Sequence, residues 1–259
     1  MQVVLAVLSG GTVGFTLGLL GGGGSILAVP LLLYVVGIQD PHVVIGSTAF
    51  AVAVNAYLNL IPHAKKKHVK WKVAVSFAIP GSLSAYAGSA VGKLVPANQI
   101  LFLFSILMIV MAVRMILPRK GTGQKTLTES VASPKMVLVI AMGVLVGFIS
   151  GFFGIGGGFL IVPGLMYSAS LPMIEAIGSS LFSVGTFGLT TAVNYSISGL
   201  VNWWVVIEYI TGGIIGGLVG TVLASRWSTK QKTLNYIFAG FVFVVAIYML
   251  VLNVKALHF

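Results

Sequence analysis

The sequence predicts an all-α membrane protein: two inverted-topology repeats of about five membrane segments each, with Gly-broken helical hairpins. Three observations predict it. Apolar runs of membrane length recur along the chain, a glycine-rich pattern returns after 133 residues, and the charges of matching loops differ between the two copies.

The 259 residues are 58% hydrophobic and 7% charged, whereas a soluble domain carries roughly 25% charged residues. Many runs approach 20 residues, long enough to cross a hydrocarbon core of about 30 Å. The segments read as 2–20, 24–37, 42–62, 72–93, 98–118, 136–153, 158–170, 174–198, 203–224 and 233–254. The polar stretch 119–135 reads as a linker between halves 1–118 and 136–259. Met1 to Ser9 contains no Lys or Arg, so it lacks the basic start of a signal peptide and is read as part of the mature chain. Cysteine is absent, which excludes disulfides, thiolate metal sites and a thiol relay.

The repeat places Gly10, Gly14, Gly18, Gly21, Gly23 and Gly24 on Gly143, Gly147, Gly151, Gly154, Gly156 and Gly157. Val29-Pro30 falls on Val162-Pro163 and Tyr34 on Tyr167; from residue 10 to 34, 13 of 25 positions are identical. After a slip of one residue, Ile45-Gly46-Ser47 matches Ile177-Gly178-Ser179, Val69 and Trp71 match Val201 and Trp203, and Gly81 and Gly88 match Gly213 and Gly220. A repeat that keeps Pro, Trp and Tyr in register marks a duplicated unit.

Charge sets the orientation. The net charge of +11 resides in short loops, so it speaks of topology rather than nucleic acid. Lys65, Lys66, Lys67, Lys70 and Lys72 fill the loop after the third segment, while the matching residues 198–203 carry no charge. Cytoplasmic loops collect Lys and Arg. The linker (Arg119, Lys120, Lys125, Lys135) and the loop 225–232 (Arg226, Lys230, Lys232) are therefore also inside. Both termini then lie outside. Each half needs an odd number of segments of alternating direction, five rather than four, so 2–20 and 24–37 are two helices meeting at the glycine run, as a pair that crosses twice or as a re-entrant hairpin. Inverted repeats of this kind are a hallmark of secondary transporters.

Gly21-Gly22-Gly23-Gly24-Ser25 and Gly154-Ile155-Gly156-Gly157-Gly158 each end one helix and begin another. Free N–H groups at the start of a helix carry its positive dipole end and bind anions. Ser47, Thr48, Ser179 and Ser180 follow in the repeat and offer neutral hydroxyl donors. The breaks and these pairs are expected to meet near the midplane as a substrate site. Asn55, Asn59, Thr190 and Asn194 read as interhelical hydrogen-bonding residues, and the Gly10-Gly14-Gly18 and Gly143-Gly147-Gly151 ladders as close helix packing. Asp40-Pro41 reads as a helix N-cap. Glu208 is the candidate carrier of a coupling proton. No metal-ligand spacing and no nucleophile–base pair stands out, so no enzyme and no cofactor is expected.

The motifs Gly-Leu-Leu-Gly-Gly-Gly-Gly-Ser (18–25) and Gly-Phe-Phe-Gly-Ile-Gly-Gly-Gly (151–158), each followed by Val-Pro, resemble the sulfite exporter TauE/SafE family. Ile45-Gly46-Ser47-Thr48, Gly178-Ser179-Ser180, His68-Val69-Lys70-Trp71 and Pro80-Gly81 fit the same pattern over nearly the whole chain. The resemblance implies transport of a small sulfur-containing anion, of the sulfite or organosulfonate type, across the bacterial plasma (inner) membrane by alternating access. The alternatives are a passive anion channel or a different small organic anion. The expected partners are that inorganic or organic anion, the lipid bilayer and protons as coupling ion; a homo-oligomer is the candidate assembly, and no nucleic acid is expected. One departure from strict repetition is Gly22 against Ile155, which distinguishes the two breaks.

Overall fold

The computed structural model describes residues 1–117, 136–226 and 231–257. The linker 119–135 and part of the loop 225–232 lie outside the described residues. All described elements are helical. The first half contains α1 (Gln2–Leu20), a 3₁₀ segment (Gly21–Leu27), the single turn α2 (Ala28–Pro30), a π segment (Leu31–Val35), α3 (Pro41–Lys65), α4 (Trp71–Leu94) and α5 (Ala97–Ile116). The second contains α6 (Met136–Phe153), α7 (Gly158–Ser168), α8 (Met173–Ile197), α9 (Trp203–Arg226) and α10 (Gln231–Leu257). Eight of these helices are long and apolar enough to cross a bilayer. Their outward faces carry Leu, Ile, Val and Phe, as lipid requires, while backbone groups are satisfied within the helices.

The caps follow local chemistry. Asp40 Oδ1 accepts the N–H of His42 at 2.8 Å, and Pro41 occupies the first helical position, where a missing N–H costs nothing. Asn202 Oδ1 likewise accepts from Trp204 N and Val205 N at the start of α9.

The return limbs of the two hairpins are short. Gly23–Val35 and the 11-residue α7 reach about 20 and 16 Å at 1.5 Å per residue, too little to span the membrane. The two hairpins meet at their tips: α7 packs against the 3₁₀ segment.

The main helix pairs are α1 with α9, α4 with α6, α3 with α8 and α5 with α10, followed by α4 with α8 and α3 with α9. Exchanging each helix for its counterpart in the other half leaves these pairings unchanged. The glycine ladders make the first two pairs. Gly10, Gly14 and Gly18 face Tyr209, Gly213 and Gly217 backbone, and Gly143, Gly147 and Gly151 face Phe77, Gly81 and Ala85 backbone. Rising numbers on both sides mean that each pair is parallel. A Cβ at these glycines would meet the neighbouring main chain, so small residues set the interaxial distance. Helices α3 and α8 run antiparallel: Gly46 faces Tyr195, Ala53 faces Gly188, and Tyr57 OH lies 3.3 Å from Thr186 Oγ1.

Candidate functional site

The second glycine break lies where the halves meet. A methyl group at Gly156 would stand 3.3 Å from Cγ1 of Val52 and 3.3 Å from Cγ1 of Val184. Those two valines are matching residues, each twelfth in a helix of 25, so Gly156 is level with the centres of α3 and α8. Gly154 sits against the side chain of Ile45. Ile45, Thr48 and Val52 form one stripe of α3 at helical spacing. The break thus runs along the face of α3 that carries Thr48. All five residues of 154–158 are buried.

Its backbone is open. Gly154, Gly156 and Gly157 have φ of 67°, 66° and 65°, in the left-handed region that costs a residue with a Cβ about 1–2 kcal/mol. Gly157 is the N-cap of α7 and makes no side-chain cap. The N–H groups of Leu160 and Ile161 return to Gly157 O, while those of Gly158 and Phe159 precede any intrahelical acceptor. Ser150 lies against Gly157, and its Oγ is buried without a hydrogen-bond partner. Orphan amides, a positive dipole end and an idle hydroxyl therefore share one buried point. No Lys, Arg, Asp or Glu among the described residues is buried, so these partial charges dominate it.

The first break differs. Gly21–Leu27 winds as a 3₁₀ helix, in which amides find acceptors three residues back. Gly24 packs on Thr16 and Leu17, and Ser25 is buried. Gly22 against Ile155 in the sequence thus accompanies a wound first break and an opened second one. At the position of Ser150 the first half has Leu17. Ser150 has no polar counterpart in the repeat, and the mismatch at 17/150 is the one mark it leaves in the sequence.

The Ser/Thr pairs do not converge on one another. Ser47 and Ser179 lie in the second turns of antiparallel helices, at opposite ends of the α3–α8 pair. Each pair's helix packs against the other half's break. Ser47 Oγ accepts the N–H of Asn202, and Ser179 Oγ that of Lys70, both at 2.9 Å. Thr48 Oγ1 donates within its helix to Val44 O at 2.8 Å, and Ser180 Oγ to Ile177 O at 2.8 Å. Thr48 faces the second break; Ser47 holds a loop.

Other sequence candidates settle into place. Asn194 Nδ2 donates across to Ser89 Oγ at 2.6 Å, whereas Asn59 and Thr190 bond within their own helices. Lys93 Nζ reaches Asn194 O, Asn194 Oδ1 and Ser198 Oγ at 3.0, 2.9 and 2.7 Å, covering the C-terminal carbonyl end of α8 with a cation. Glu175 pairs with Lys70 at 3.0 Å. Glu208 is half-buried, six residues into α9. No cluster of His, Asp or Glu able to hold a metal occurs among the described residues.

An all-helical bundle with eight membrane-length helices and two broken hairpins meeting inside it defines a polytopic membrane protein. The chain belongs to the sulfite exporter TauE/SafE family, whose model matches residues 6–249. It is similar to a probable membrane transporter protein of Xylella fastidiosa strain Temecula1, 50% identical over 249 residues that cover 96% of this chain and 95% of the relative. It is also similar to the probable membrane transporter protein YunE of Bacillus subtilis, 30% identical over 88% of this chain and 90% of that one. A probable membrane transporter protein of Methanocaldococcus jannaschii is 32% identical over 74% of this chain and 70% of its own. No solved structure matches the chain. The protein is a membrane transporter of this family rather than an enzyme.

Proposed function

We propose that the protein carries a small sulfur-containing anion, of the sulfite or organosulfonate type, across the bacterial plasma membrane by alternating access. Two halves in opposite orientations, with both termini outside, would rock about the glycine breaks. Gly154, Gly156, Gly157 and Gly158 supply backbone donors at the centre, with Ser150 and Thr48 beside them. Gly21, Gly23, Gly24 and Ser25 form the opposing tip. Ser47, Ser179 and Ser180 belong to the rims of the two sides.

The observation that carries this reading is the uncapped start of α7 at Gly157, buried level with Val52 and Val184 and facing no acid. An anion gains there from orphan N–H groups without the desolvation that a buried Lys would suffer. The antiparallel α3 and α8 and the exchange-invariant helix pairings support the inverted arrangement.

The test is flux of labelled sulfite and of an organosulfonate into proteoliposomes. Wild-type protein should show saturable uptake accelerated by unlabelled anion on the far side. Gly156→Leu should abolish uptake while the protein still elutes as a monodisperse species. Unchanged uptake in that variant would remove the glycine site. Currents in planar bilayers without acceleration from the far side would make the protein a channel.

A further inference from the structure

The two halves are packed alike but not filled alike. In the groove between α4, α6 and α8, Phe187 of α8 lies against Gly81 of α4, and Phe77 of α4 stacks on Phe187 with ring centroids 6.1 Å apart. Met142 of α6 completes this plug: a methyl group at Gly164 would meet Met142 Cε and the Phe77 ring at 3.7 Å each.

The residues that match Phe187, Phe77 and Met142 in the repeat are Asn55, Tyr209 and Ser9, on α3, α9 and α1. Their packing is equivalent. The Asn55 amide lies against Gly213 of α9 as Phe187 lies against Gly81, and the Tyr209 backbone faces Gly10 as the Phe77 backbone faces Gly143. Three apolar residues are thus replaced by three polar ones at corresponding places. Ser9, Asn55 and Tyr209 are 2%, 1% and 0% exposed. Ser9 Oγ, both amide atoms of Asn55 and the Tyr209 hydroxyl have no hydrogen-bond partner.

Three such groups, desolvated and unpaired, would each cost about 1–3 kcal/mol. Packing alone would favour the apolar trio already present in the other groove. Asparagine and serine are also smaller than the phenylalanine and methionine at the matching places, so the side chains of this groove fill less volume than the plug does. Buried polar atoms that lack protein partners are where a polar guest finds its hydrogen bonds. Asn55 is one helical turn from Val52, which abuts Gly156.

We propose that Ser9, Asn55 and Tyr209 form a second binding pocket, between α1, α3 and α9, that takes the oxygen atoms of a small oxyanion. The pocket supplies two hydroxyl hydrogens and the Asn55 amide, all neutral, so it can hold an anion and release it. It makes the transport path one-sided: the guest passes along the α1–α3–α9 face, and the Phe77–Phe187–Met142 face is a wall. The pocket rests on the anion-transport reading above, because it assigns the same guest.

The experiment uses full-length protein in nanodiscs, with anion affinity and apo thermal stability measured for sulfite, an organosulfonate, acetate and, separately, sodium ion. The variants are Ser9→Ala, Tyr209→Phe, Asn55→Phe, Phe77→Tyr and Gly156→Ala. Ser9→Ala and Tyr209→Phe should weaken oxyanion binding about tenfold or more each, as expected for a hydrogen bond to a charged group, at unchanged or raised apo stability. Asn55→Phe should abolish binding by copying the plug, and Phe77→Tyr should bind as wild type. Normal affinity in the variants of Ser9, Asn55 and Tyr209, with binding lost only in Gly156→Ala, would overturn this pocket and leave the glycine site standing. A stability gain with normal affinity would show that the groove holds only water. A sodium response lost in the variants without an anion response would make it a cation site. Each of these results defeats the oxyanion assignment. Wild type that binds no anion defeats both readings.

Discussion

Ser179 Oγ accepts the backbone N–H of Lys70 at 2.9 Å, tying the second turn of α8 to the basic loop of the other half. Ser47 does the same for Asn202. Each serine closes the loop that leads into a fourth helix, α4 or α9. Ser179→Ala and Ser47→Ala should each lower stability by about 1 kcal/mol and speed proteolysis of residues 66–70 or 198–202. Thermal unfolding and limited digestion check this. Anion affinity measured on the same samples decides whether these serines also touch substrate: an unaltered value would confine them to the loops.

The chain has no cysteine, so single cysteines report topology without background. Lys66→Cys and Val201→Cys should react with an impermeant maleimide from opposite sides of sealed vesicles. Labelling of both from one side would refute the inverted arrangement.

Lys93 spends three donors on Asn194 and Ser198. Lys93→Met keeps the length and removes them, leaving the end of α8 without its cation. Stability should fall by about 1–3 kcal/mol, read by denaturant unfolding. Lys93→Arg should recover part of the loss.

Gly156 and Gly157 occupy left-handed backbone, and Gly23 lies in a 3₁₀ segment. Gly156→Ala should cost about 1–2 kcal/mol of stability and most of the flux. Gly23→Ala should cost less of both. Proteoliposome uptake of the two variants side by side gives the answer; equal losses would mean that the breaks contribute alike.

The ten segments were legible because lipid enforces long apolar runs, and the hairpins because glycine interrupts two of them at matching places. The Asp40 cap follows from three adjacent residues and was equally plain. Two features were not local enough to read. Ser47 and Asn202 are 155 positions apart, and nothing near Ser47 says that its oxygen is claimed by a distant amide. The flexible stem of Lys93 carries its ammonium to α8, a reach that charge counting ignores. The unequal breaks were foreshadowed by Gly22 against Ile155, but the sense of the difference needed backbone angles. The empty partnerships of Ser9, Asn55 and Tyr209 depend on what three helices fail to offer, which no residue pattern states.

Helix α1 packs on α9 and α6 on α4, so each half lends its opening helix to the other. Neither copy can bury its own glycine stripe in isolation. The gene encodes, in effect, a fused pair of mutually dependent lodgers rather than two self-sufficient units. A side chain enlarged on one stripe must be answered by a shrinkage in the other copy, and so the two halves are bound to co-evolve across the middle of the chain.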